Sequence, residues 1–178
     1  MLIGIVGTLG SGKGTVVEYL KTKGWTHYSA SGYLREVILS RGEVVNRDSY
    51  SKVSGEIRRV DPSGLVKILF DRIEGDSADF AIIEALHDVG EANFIKAQGG
   101  ILLAVDASLE VRYQRSLLRG SEKDNVSLAD FKRHIEREEN GTGHHNIRAV
   151  IDLADYIIQN DGTLEELHTQ IESFLGTL

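Results

Sequence analysis

The chain has 178 residues, 41% of them hydrophobic and 26% charged, the make-up of one ordinary globular domain. It contains no cysteine, so disulfides, thiol nucleophiles and thiolate-bound zinc are excluded. A formal net charge of -7 without a basic tail argues against a non-specific grip on nucleic acid or an anionic membrane, and no apolar run is long enough to span a bilayer.

Leu2, Ile3, Ile5 and Val6 form a short apolar strand, followed at once by Gly7, Thr8, Leu9, Gly10, Ser11, Gly12, Lys13, Gly14 and Thr15. The next residues, VVEYLKTKG, have helical spacing and a glycine stop. Strand, glycine-rich loop and helix in this order build a phosphate-binding loop. The glycines let the backbone turn its N–H groups inward, and the helix start adds unpaired donors and a positive dipole end. Lys13 then reaches the outer phosphates of a nucleotide. Gly14 departs from the general pattern, which has Ser or Thr there to meet Mg²⁺; Thr15 or Ser11, or water, is expected to cover that role.

A second strand is expected at 25–28 and a helix at 33–39 with a cap near Ser31. Helices at 47–60 and 65–75 are separated by Asp61-Pro62-Ser63-Gly64. Strands follow at 79–84, 101–106 and 155–159, and helices at 91–97, 109–118, 127–139, 147–153 and from 164 onward. Alternating strands and helices imply an α/β domain, a parallel sheet covered on both faces, and the whole of 1–178 reads as one unit. Ligands of such sheets bind beyond the C-terminal strand ends, which selects 7–13, 29–35, 84–90, 106–109 and 159–163.

Charged residues at that edge are the candidates. Arg35 fits a phosphate clamp, or else a surface arginine of an amphipathic helix; Arg58 and Arg59 are weaker acceptor-side candidates, because cations favour a helix end anyway. Glu84 closes a strand where a carboxylate can hold Mg²⁺ through water, and Asp106 reads as a helix cap. Arg112, Arg115 and Arg119 lie on one helix face before a polar break, so Arg115 and Arg119 are expected on a short lid over the migrating phosphoryl group. His87 falls near the acceptor side. His144 and His145 lack clean metal-ligand spacing and read as a polar loop.

GTLGSGKGT, with Gly14 after the lysine, resembles the phosphate loop of adenylate kinases and related nucleoside monophosphate kinases. SASGYLRE at 29–36 resembles their acceptor-side segment, with Arg35 in the place of the arginine that holds the monophosphate, Ser31 and Gly32 beside it, and Tyr33 where the adenylate kinase pattern has Asp. DFAIIEALHDVGEANFIKAQGGILLAVDASLEVRYQR is closer to dephospho-CoA kinase-like and archaeal adenylate-kinase-like proteins, which commonly have an Asp and an Arg near the positions of Glu84 and His87. Residues 119–131 resemble their short lid. ADYIIQNDGTLEEL resembles their last strand and helix, which would set Asn160, Asp161 and Gly162 against a nucleotide base. The resemblance implies a three-layer P-loop fold with sheet order 2-3-1-4-5, a substrate-side helical segment near 35–76 and a lid near 115–128.

The expected activity is ATP-dependent phosphoryl transfer, with Mg²⁺, to a small phosphate-monoester acceptor, a nucleoside or deoxynucleoside monophosphate. Dephospho-CoA kinase-like transfer to a hydroxyl and a nucleotide-sensing regulatory ATPase are the alternatives. A cytoplasmic monomer or weak homodimer without nucleic-acid or membrane partners is expected, since the first strand starts at once with no basic leader.

Overall fold

The computed structural model describes residues 1–84, 86–118, 127–139 and 146–178. Its centre is a five-stranded sheet in the order β2-β3-β1-β4-β5, all pairs parallel. The strands are β1 Leu2–Gly7, β2 Thr26–Ser29, β3 Ala81–Glu84, β4 Ile101–Asp106 and β5 Tyr156–Gln159. β1 is hydrogen-bonded on both sides, with Ile5 opposite Glu84 of β3 and Gly7 opposite Val105 of β4.

Side chains of β1 alternate between two cores. Ile3 and Ile5 join Val16, Val17 and Leu20 of α1 (Lys13–Thr22) and Leu167, Ile171 and Phe174 of α9 (Leu164–Leu175). Leu2 and Val6 join the opposite layer, to which α2 (Ala30–Ser40), α3 (Arg47–Val60), α4 (Gly64–Asp76), α5 (Val89–Ala97) and α8 (Ile147–Ile151) contribute. A strand covered on both faces has no solvent side on which to alternate polar residues, which explains its unbroken apolar run. Two further helices, α6 (Leu109–Leu118) and α7 (Leu128–Glu139), meet each other through Tyr113 and Phe131. No helix of the described residues is long and apolar enough to cross a membrane.

Several boundaries differ from the sequence expectation, each for a local hydrogen-bonding reason. α2 begins at Ala30, because Ser29 rather than Ser31 is extended and accepts from the Gly32 N–H at 3.1 Å. α5 begins at Val89, because Asp88 and Glu91 form a reciprocal capping box. Asp106 accepts from the N–H of Ala107 at 2.9 Å, before the helix it was expected to cap. Residues 119–126, Arg119 among them and part of the lid expected near 115–128, and His144 and His145 lie outside the described residues.

A buried ion pair ties the end of α3 to the start of α5. Arg58, at the end of α3, donates from Nε to Glu91 Oε1 at 2.9 Å, and both side chains are almost fully buried. The other oxygen, Oε2, accepts from the backbone N–H groups of His87 and Asp88 at 2.8 and 3.2 Å. Burial pushes the Glu91 carboxyl up, against the pull of Arg58 and of those two amides. Arg58→Ala would leave that carboxyl buried without its cation, at an expected loss of about 3–5 kcal/mol in urea unfolding at neutral pH. A group whose folded pKa is raised favours the folded state below its unfolded pKa and loses that contribution as pH rises, so the deficit of Arg58→Ala should shrink toward about pH 5. A loss under about 1 kcal/mol, as for an exposed arginine, would contradict the buried pairing.

Candidate functional site

The loop after β1 leaves the middle of the sheet edge and enters α1 through Gly12, whose φ is 96°. Gly10 has φ 79°, and a Cβ there would lie 2.6 Å from the Arg112 carbonyl oxygen. At Gly12 a Cβ would come within 2.2 Å of Asn160 Nδ2. Both positions therefore demand glycine on two counts, backbone conformation and close approach. Thr15 and Val16 donate their N–H groups to the Gly12 carbonyl, which closes the first turn of the helix.

Inside this loop lie two hydroxyls with an unusual status. Thr8 Oγ1 and Ser11 Oγ are buried and have no hydrogen-bond partner among the described residues. A buried hydroxyl left unpaired costs roughly 1–3 kcal/mol, so both are open to a partner that water or a ligand brings. Lys13 bends back over the loop, its Nζ donating to the carbonyls of Gly7 at 2.7 Å and Thr8 at 3.0 Å. The ammonium is thus held above the loop that the sequence marks as a phosphate cradle. Leu9 is half-buried there, while Gly14 and Thr15 are exposed on the first turn of α1.

Glu84 stands at the end of β3, half-buried, in register with Ser29 of the edge strand β2. His27 Nε2 lies 3.4 Å from Glu84 Oε2, in ion-pair range but without an aligned hydrogen bond. His27 holds the carboxyl below its usual range against the opposing effect of burial, and Lys13 adds to the pull. An ionised carboxylate within the field of the loop lysine suits a Mg²⁺ that arrives with nucleotide phosphates, because such an ion keeps several waters and needs few protein oxygens. Among the described residues no three His, Asp or Glu side chains converge on a resident metal. Sequence reasoning missed His27, since nothing in one dimension places it beside Glu84.

On the other flank, Arg115 of α6 donates to the Asn160 carbonyl at 2.8 Å and to its Oδ1 at 3.3 Å. Asn160 Nδ2 in turn donates to the Ser11 carbonyl at 2.8 Å. Expected against a nucleotide base, Asn160 instead has a buried side chain committed to the loop and to Arg115. Asp161 and Gly162 are exposed and line an open hollow with Gln159, Glu166, Thr169 and Gln170. Asp161 accepts from Gln159 Nε2 and from the Ser108 N–H, and these bonds hold its carboxyl below the usual range. Arg112 is buried, its backbone packed on Gly10.

The residues expected on the acceptor side divide. Arg35 is exposed on α2 and makes no hydrogen bond or ion pair with the described residues. Ser31 and Gly32 sit in the first turn of that helix, Ser31 Oγ 3.0 Å from Ser29 Oγ. Arg59 is exposed, and His87 is half-buried with its N–H on Glu91. Arg58 was expected with them, but the structure commits it to the buried pair with Glu91. The capping pattern of Asp88 and Glu91 was readable in the sequence; the arginine that Glu91 holds was not.

Comparison with known proteins agrees with this geometry. The sequence pattern of the family described as AAA domain (AAA_18) matches residues 3–153. A UPF0200 protein of Sulfurisphaera tokodaii is 30% identical over 98% of this chain and 95% of its own. Among solved structures, the fold resembles shikimate kinase from Acinetobacter baumannii in complex with shikimate, with TM-score 0.63 and 18% identity over 99% of this chain and 91% of that one. It also resembles dephospho-CoA kinase from Campylobacter jejuni, with TM-score 0.57 and 14% identity over 98% and 95% of the two chains. A phosphate loop on a 2-3-1-4-5 parallel sheet with these relatives places the chain in the AAA_18 family, on a kinase-like P-loop fold.

Proposed function

We propose that this chain is an ATP-dependent kinase that transfers a phosphoryl group from ATP to a small phosphate-monoester acceptor, a nucleoside or deoxynucleoside monophosphate. The observation that carries the proposal is the pair of buried, unpartnered hydroxyls of Thr8 and Ser11 inside a glycine loop topped by Lys13. Hydroxyls and backbone amides there would receive the donor phosphates, and Lys13 would draw off charge from the transferred group. Arg115 stands beside the loop, and Arg119 and the lid near 115–128 would join it in excluding water. Mg²⁺ bound with ATP would be held by the phosphates, by Glu84 through water and on the Thr15 side of the helix start, and would offset phosphate charge.

Across the site, Arg35 would clamp the acceptor phosphate with its planar fork, next to Ser31, Gly32, Arg59 and His87. The helical segment near 35–76 would form that acceptor side. Asp161 and Gly162 would face the nucleotide base. The protein would act in the cytoplasm as a monomer or weak homodimer.

Glu84 favours a second reading. A carboxylate kept ionised at the ligand edge can serve as general base toward a hydroxyl. Dephospho-CoA kinase-like transfer to a hydroxyl would want such a base, whereas a monophosphate acceptor is already ionised and needs none. Mixing the protein with ATP and a panel of nucleoside and deoxynucleoside monophosphates and dephospho-CoA separates the readings. Diphosphate products support the first, CoA the second, and free phosphate with no acceptor product would mean a nucleotide-sensing ATPase instead.

Lys13→Ala should lower kcat by about 100-fold or more while leaving the far-UV circular dichroism and thermal midpoint near those of the parent. Turnover close to parent would sink the assignment. The loop glycines provide a contrast. A Cβ on Gly14 meets nothing within 4 Å, so Gly14→Ser should fold, gain about 0.5 kcal/mol in helix propensity and keep ATP affinity in calorimetric titration. Gly12→Ala, strained at its positive φ and driven into Asn160, should lose about tenfold or more in that affinity.

A further inference from the structure

The turn after β5 is bonded to three other parts of the site at once. Asn160 N–H donates to the Asp106 carbonyl at 2.7 Å, at the end of β4. Its side-chain Nδ2 reaches the Ser11 carbonyl in the phosphate loop, and its Oδ1 and backbone oxygen receive the two prongs of Arg115. Only 4% of the residue is exposed, so these bonds form away from competing water. A carboxamide is the side chain that donates on one side and accepts on the other, as this position requires. The fit is close enough that Gly12 has no room for a Cβ beside Nδ2, and Arg115 Nη1 would stand 3.9 Å from that same Cβ.

We propose that Asn160 is a positioning residue: it locks the Arg115 guanidinium to the phosphate loop, so that loop and arginine present their donors to the nucleotide as one preorganised unit. This rests on the proposed function, since it assigns the loop to ATP. Without the Asn160 side chain, Arg115 keeps its bond to the backbone carbonyl but loses the bond to Oδ1 and, with it, the side-chain bridge to the loop, and the Ser11 carbonyl loses its side-chain donor. The nucleotide would then have to order both groups on binding, and affinity falls by that cost. The inference gives Asn160 work that a base contact would not: its effect on the nucleotide passes through Arg115.

A double-mutant cycle on ATP affinity, measured by isothermal titration calorimetry with Asn160→Ala, Arg115→Ala and the double variant, tests the coupling. Each single substitution should weaken ATP binding about tenfold or more, the scale of a hydrogen bond to a charged group. The double variant should be weaker than the worse single variant by no more than about threefold, because the two changes break one unit. Single effects that multiply in the double variant would overturn the coupling, as would an Asn160→Ala protein that loses thermal stability but keeps its ATP affinity. If Asn160→Ala does not fold, Arg115→Lys decides. Lysine keeps the charge but cannot hold both the Asn160 carbonyl and Oδ1, so it should bind ATP nearly as weakly as Arg115→Ala. Parent-like affinity in Arg115→Lys would overturn the proposal. Parent protein that binds no ATP would overturn the function and this inference together. ATP binding that depends on Lys13 but shows independent Asn160 and Arg115 effects would overturn the inference alone.

Discussion

Everything in this molecule is set by the double burial of β1. The strand is the central one of the sheet, paired on both edges and covered on both faces, so its end is held by structure on either side. The glycine loop that leaves it inherits that rigidity. Its backbone is pinned below by the strand ladder, ahead by the first turn of α1 and laterally by Asn160. A loop that must surround several negatively charged oxygens gains from being held in place beforehand, because little ordering is left to be done when the ligand arrives.

Around the loop, charge is distributed by depth. Arg58 and Glu91 are the deepest pair, and they serve architecture: they lock α3 to the start of α5 and so hold the residues that follow β3. Glu84 is intermediate, still ionised because His27 and Lys13 face it. Arg35 lies on the surface without a partner among the described residues. The same residue type, arginine, is therefore a strut at position 58, a half-buried flank of the loop at 115 and an open cation at 35. Burial and neighbours decide which.

Much of the frame was legible in one dimension. The phosphate loop could be read because strand, glycines, lysine and helix are contiguous, and each step follows from local stereochemistry. The helix starts were off by two to three residues at Ser29 and Asp88, where a side-chain oxygen captures an N–H that periodicity does not record. Arg58 could be read only as a weaker acceptor-side candidate or a cation at a helix end, because sequence does not report the carboxylate opposite it, 33 residues on. His27 gave no signal at all. Its partner is brought to it by the register of β2 on β3, a long-range pairing that a single strand cannot express.

By itself, then, the sequence determined the alternation of strands and helices, the apolar character of a sheet covered twice, and a loop whose glycines and lysine are made for phosphate. Those features depend on residues within a turn or a strand of one another. The tertiary structure alone decided which charges meet: Arg58 with Glu91, His27 with Glu84, and Arg115 with Asn160 and, through it, the loop. Each of those pairings joins elements distant in the chain, and the energy that selects them comes from burial and geometry that exist only once the sheet has closed.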